Sequence, residues 1–204
     1  MGVAASNIAI TTYRVANEPE EGIMDRVYEG LTRHTIVDID GESLDKSIGW
    51  TTIDQPLNPD FSGSCFLVGS LFVFALRIDK KVISPKIVAK QIQKETARKL
   101  RESGREFLSK GEKKALRDAV IADLNRRIPA TPRTTDVVWN YEERLVFFFS
   151  NQKTANEEFE TLFTKSFDMN LVRVFPYTFA MEMAGLTDAE IDRLHGLTSV
   201  SLIR

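Results

Sequence analysis

Apolar positions recur along this chain with two periods, one of two residues and one close to 3.6. Alternation over Ala9–Val15 predicts a first strand. Asn17 precedes Glu20 by three residues around Pro19, and Met24, Val27, Tyr28 and Leu31 follow at helical spacing, which predicts a helix running to about Arg33. Thr35–Ile39 reads as a short strand and Asp40-Gly41 as a turn. The polar segment through Gly49, Trp50 and Pro59 reads as an irregular excursion. The segment CFLVGSLFVFALRI then has apolar residues on both faces and Gly69-Ser70 at its centre, so a hairpin of Cys65–Val68 with Leu71–Ile78 is expected.

Two helices come next. Ser84 is a natural N-cap with Pro85 at the first helical position, and a helix from there to about Gly104 would be roughly 30 Å long. Ser109 and Glu112 have the spacing of a capping box, and Leu116, Val120 and Leu124 follow at four-residue intervals until Pro129 and Pro132 end the pattern. Sheet alternation returns at Thr135–Trp139 and Leu145–Phe149, a second hairpin about Asn140-Tyr141-Glu142. Thr154 with Glu157 then caps a helix carrying Phe159, Leu162, Phe163 and Phe167 on one stripe. Leu171–Phe175 reads as a strand closed by Pro176. A last capping box joins Thr187 to Glu190, with Leu186 and Ile191 as a staple and Leu194 on the same face. The expected fold class is α+β, with sheet-plus-helix modules at residues 1–79 and 134–204 flanking a helical pair at residues 80–133.

Charge changes that picture. Residues 80–133 hold 16 of the 27 Lys and Arg but 6 of the 29 Asp and Glu, so they carry +10 while the remainder of the chain carries −12. At 100° per residue Lys86, Lys90, Lys94, Arg98, Arg101 and Arg105 fall within an arc of about 120°, opposite Val88, Ile92, Thr96 and Leu100. Ile87 within the basic arc and Lys99 within the apolar one are exceptions. A basic stripe with few acidic partners is the footprint of a surface that meets a polyanion, although many such stripes are merely solvated. Lys113, Lys114 and Arg117 on the next helix are secondary candidates. Gln91 and Gln93 are the residues near the stripe suited to reading adenine, so weak base discrimination is expected.

Candidate chemistry is sparse. The sequence has no phosphate-binding loop, dinucleotide glycine fingerprint or His-Glu-x-x-His, and no catalytic residue, metal ligand or cofactor is assigned. His34 and His195 lie near helix ends, where a cation is mildly favoured. One cysteine, Cys65, excludes an internal disulfide; it sits in the most apolar strand, where an inert buried thiol is expected. The chain shows no signal-peptide pattern and no membrane-length apolar run, which suggests a cytoplasmic protein. Asp60 after Pro59, with Asp79-Lys80-Lys81, superficially matches a metal-dependent nuclease, in which two carboxylates hold Mg²⁺ and a lysine activates water. The competing reading of Asp79-Lys80-Lys81 is a solvated turn, and Asp38 and Asp40 meet the same objection.

The ordered features resemble the recombination-associated protein RdgC family over roughly residues 8–180. These are Tyr13-Arg14, Gly49-Trp50, the apolar hairpin running into Lys80-Lys81-Val82-Ile83-Ser84-Pro85, Arg98-Lys99-Leu100, Glu112-Lys113, Leu116-Arg117-Asp118 with Val120, Trp139, Lys165-Ser166-Phe167 and Pro176. The resemblance implies a nucleoid-associated protein that binds DNA with little sequence preference and restrains RecA filament assembly by competing for DNA. Family members form a dimeric ring around duplex DNA. Relative to longer members this chain lacks a C-terminal third, so ring closure depends on whether residues 177–204 replace it. The expectation is a homodimer on double-stranded DNA, with single-stranded DNA open as a further ligand and no membrane partner. The interface is sought at Cys65–Ile78 and Phe147–Phe149. A metal-dependent nuclease using Asp60 and Asp79, and a protein-binding adaptor with a basic face, stand as alternatives.

Overall fold

The structure, a computed structural model, describes residues 8–17, 21–175, 179–180 and 185–196. Its elements are β1 (Thr11–Val15), α1 (Ile23–Arg33), β2 (Lys46–Thr51), β3 (Leu67–Val68), β4 (Leu71–Lys80), α2 (Pro85–Ser103), α3 (Lys110–Arg127), β5 (Thr131–Asn140), β6 (Leu145–Phe148), α4 (Lys153–Phe167), β7 (Leu171–Val174) and α5 (Asp188–His195). The fold is α+β. The strands form one sheet in the order β2-β4-β5-β6-β1-β7, with β3 also on β4 and every strand pairing antiparallel. Strands from residues 1–79 and from residues 134–204 belong to this one sheet, and β1 lies between β6 and β7.

Strand alternation sends Tyr13, Trp50, Phe72, Phe74, Leu76, Val137, Trp139, Val146 and Phe148 to the same face, where all are buried. Helix α4 covers that face with Phe159, Phe163 and Phe167, and α1 adds Val27 and Leu31. The rings meet in specific geometries: Phe148 stacks on Phe159 at 4.4 Å between centroids, Trp50 on Phe167 at 5.7 Å, and Trp139 lies 5.1 Å from Phe163. Each such pair adds about 0.5–1.5 kcal/mol beyond area burial. The Trp50 indole N–H donates to Ser166 Oγ at 2.8 Å. Gly30 permits the close approach of α1 to α4, because a Cβ there would lie 2.6 Å from the Phe167 ring and the Ser166 carbonyl.

Several expectations are corrected. The presumed irregular excursion contains β2, whose Trp50 is fully buried, and the expected strand Thr35–Ile39 shrinks to a single bridge from Thr35 to Trp50. Gly49 lies against this bridge: a Cβ there would sit 2.4 Å from the Ile36 Cα, so a side chain would force the segments apart. Helix α1 starts at Ile23 behind Gly22 (φ 74°) and not behind Asn17, whose side chain instead accepts from the Asn170 backbone N–H at 2.8 Å. Glu20 lies outside the described residues. Helix α4 starts at Lys153, one residue ahead of its expected cap. The Gly69 turn is present (φ 62°), but β3 is two residues long and Cys65 precedes it, exposed rather than buried. Partial burial and the nearby Asp60 push the Cys65 thiol up. In the last helix the capping box of Thr187 and Glu190 is formed; Pro176 lies outside the described residues.

Candidate nucleic-acid interface

Helices α2 and α3 form an antiparallel hairpin joined to the sheet at its base. Pro85 supplies the pre-set φ of the first α2 position, and Gly104 ends the helix in the left-handed conformation (φ 65°). Ser109 Oγ accepts from the Glu112 N–H at 3.3 Å while Glu112 accepts from the Ser109 N–H at 2.8 Å, the reciprocal cap read from the sequence. Val88, Ile92, Thr96 and Leu100 are half-buried, as their shared face predicts, and α3 contributes buried Leu116 and Val120. Leu124 is half-buried. No residue of α2 is fully buried.

The sequence-predicted cations are all exposed, but they are not equivalent. Arg98 lies between two carboxylates, 2.8 Å from Glu95 and 3.7 Å from Glu102. Arg105 donates to Glu112 at 2.7 Å. Hydrogen bonds from Arg105 and from Ser109 together hold the Glu112 carboxyl down at about 2. Among the described residues, Lys86, Lys90, Lys94 and Arg101 on α2, and Lys113, Lys114 and Arg117 on α3, have no carboxylate within 4.0 Å. Ile87, within the basic arc, is half exposed, and Phe107 in the connection is 74% exposed.

The residues considered for metal chemistry are engaged elsewhere. Asp79 is 1% exposed, and both of its oxygens accept from Arg77, at 2.7 Å from Nε and 2.5 Å from Nη2. Asp60 is on an exposed loop, where its oxygens accept from the backbone N–H and hydroxyl of Ser62 at 2.9 Å; these bonds lower its pKa. No hydrogen bond or ion pair joins Asp60 to Asp79, and among the described residues no group of three His, Cys, Asp or Glu converges on one point. The solvated turn at Asp79-Lys80-Lys81 is also corrected. Lys81 is 4% exposed and donates to the carbonyls of Ile39, Glu42 and Asn125 at 2.6, 2.9 and 2.8 Å.

Lys81 is therefore a structural residue that sequence reasoning missed. It ties the end of α3 to the loop before β2, and Asn125 Nδ2 donating to the Ser43 carbonyl at 3.0 Å reinforces the joint. Nothing in the periodicity signals this role. The Arg77–Asp79 pair is different: opposite charges two residues apart in an apolar strand share a face by alternation, so their pairing could have been read.

A family model described as "Putative exonuclease, RdgC" matches residues 9–187. The chain belongs to the RdgC family. The match to RdgC spans the sheet, both hairpin helices and α4, so the stripe and its anchor at Lys81 lie within the family segment. No curated protein gives a significant match. RdgC membership connects the chain with recombination. Among the described residues no helix is long and apolar enough to cross a membrane.

Proposed function

We propose that this RdgC protein binds DNA through the phosphate backbone on the α2–α3 hairpin, without reading bases, and limits RecA filament assembly by occupying DNA. One observation carries the reading: Lys86, Lys90, Lys94 and Arg101 lie exposed on a helix that fully buries nothing, with no carboxylate among the described residues in range to neutralise them. Lysine and arginine so placed can exchange solvent for phosphate oxygens at little desolvation cost and release the counterions condensed on the duplex. Arg98 and Arg105 contribute less, because each already has a carboxylate partner.

Binding by four to seven phosphate contacts gives a slope of log K against log salt between about −4 and −6. Titration of labelled duplexes of unrelated sequence at several salt concentrations tests it. Equal affinities with that slope support the reading; tight binding to one sequence, or a flat salt response, overturns it. A protein adaptor with a basic face would retain no DNA at low salt. A nuclease would cleave linear or single-stranded DNA with Mg²⁺ and lose that cleavage on Asp79→Ala, which is set against Asp79 by its buried pairing with Arg77. A homodimer would duplicate the stripe and make the second contact intramolecular; light scattering with and without DNA gives the stoichiometry.

A further inference from the structure

A second cationic site lies away from the helical stripe, on the sheet face that α4 covers. Lys46 on β2 stands directly opposite Lys80 on β4, and Arg133 on β5 stands opposite Ile78, one step along that face. Like charges paired directly across strands are destabilising. With Thr135 and the first turns of α4, these three side chains line a cavity of about 260 Å³. Glu158 is the acidic residue in its wall, and it is paired with Lys46. Lys80 and Arg133 make no ion pair among the described residues.

The cavity thus carries a formal charge of +2 from four ionisable groups on four elements, β2, β4, β5 and α4. Thr135 and Thr154 place hydroxyls in the same wall. A compact tetrahedral anion suits this set, since it offers several acceptors to donors arriving from different sides. We propose that this pocket binds a phosphate group. The phosphate can come from a nucleic-acid backbone or from a free nucleotide. The backbone source rests on the DNA-binding reading above, and it would extend the bound strand from the hairpin to its base, because β4 ends at Lys80 and α2 begins at Pro85.

Titration of the intact protein with inorganic phosphate against chloride at constant ionic strength, followed by the backbone amide resonances of Lys80, Arg133, Thr154 and Ala155, tests the pocket. Saturable shifts confined to these positions are expected. Glu158→Gln frees Lys46 and should tighten phosphate several-fold, whereas Lys80→Ala with Arg133→Ala should weaken it by about tenfold or more. Shifts that match chloride, or an affinity unmoved by Glu158→Gln, overturn the proposal without reference to DNA. The source is then read by competition. A duplex that displaces phosphate, with a salt slope shallower by about 0.9 in the double variant, identifies the backbone. Displacement by a nucleoside diphosphate, with duplex affinity unchanged in the variant, identifies a nucleotide. Failure of the wild-type protein to retain any duplex would defeat the hairpin reading while leaving the phosphate titration decisive for the pocket.

Discussion

Helix α4 buries seven of its fifteen residues, and α2 buries none of its nineteen. The two helices come from opposite physical solutions. Helix α4 is held by tertiary packing, its phenylalanines interleaved with Trp50, Trp139 and Phe148. Helix α2 is held by good helix formers, by one half-buried seam against α3 and by local ion pairs such as Arg98 with Glu95. The difference separates stability from charge. The sheet and α4 form the stable body, and the hairpin presents cations whose solvent face no packing constrains.

On the proposed DNA-binding reading, that separation should make stability and DNA affinity respond to different substitutions. The largest effect is expected in the body: Trp50→Ala removes a fully buried indole and its bond to Ser166, and should cost about 3–5 kcal/mol in urea unfolding, with the salt slope of DNA binding unchanged in the folded protein. Lys86→Ala with Lys90→Ala and Lys94→Ala should do the reverse. The slope should become shallower by about 2.7, and stability should stay within about 0.5 kcal/mol per site. Parallel loss of stability and binding in either variant would break the comparison.

Lys81→Met crosses the boundary. It leaves three carbonyls without their donor, which should cost about 1–3 kcal/mol, and it should weaken DNA binding although Lys81 is too buried to meet a phosphate. Unchanged binding would show that the hairpin needs no anchor there. The smallest effect is a pH dependence at the tip. The Glu112 carboxyl titrates at about 2 in the folded chain, below its ordinary value of 4.5, so its stabilising bonds are fully present above about 4.5 and are lost as pH falls towards 2. Acid unfolding followed by circular dichroism should show this loss, and Glu112→Gln should remove its pH dependence.

Most of this organisation was legible in the residues, for identifiable reasons. The capping boxes at Ser109 and Thr187, the Gly69 turn and the phenylalanine stripe of α4 are local patterns, and they set the elements directly. The segment Lys46–Thr51 hid its strand because only Ile48 and Trp50 carry the alternation and a glycine lies between them, required by a contact with Ile36 that is remote in the pattern. Asn17 misled because a capping residue can equally serve a distant backbone, here Asn170. The basic stripe was visible by angle, but its division into paired and unpaired cations depends on side-chain reach. The sheet-side cluster of Lys46, Lys80 and Arg133 was invisible, since only strand register brings those positions together.

The joint at Lys81 has a mechanical consequence. A helix of nineteen residues is about 28 Å long, so α2 acts as a lever whose far end amplifies any tilt at its root. A change of about 10° there would sweep the tip through roughly 5 Å, more than the 3.4 Å rise along the duplex axis per charge of one DNA strand. If the hairpin binds DNA as proposed, three carbonyls around one ammonium group set the aim of cations a helix-length away: a small repacking at the root would shift which phosphate each cation meets, with no change in the charge the hairpin carries.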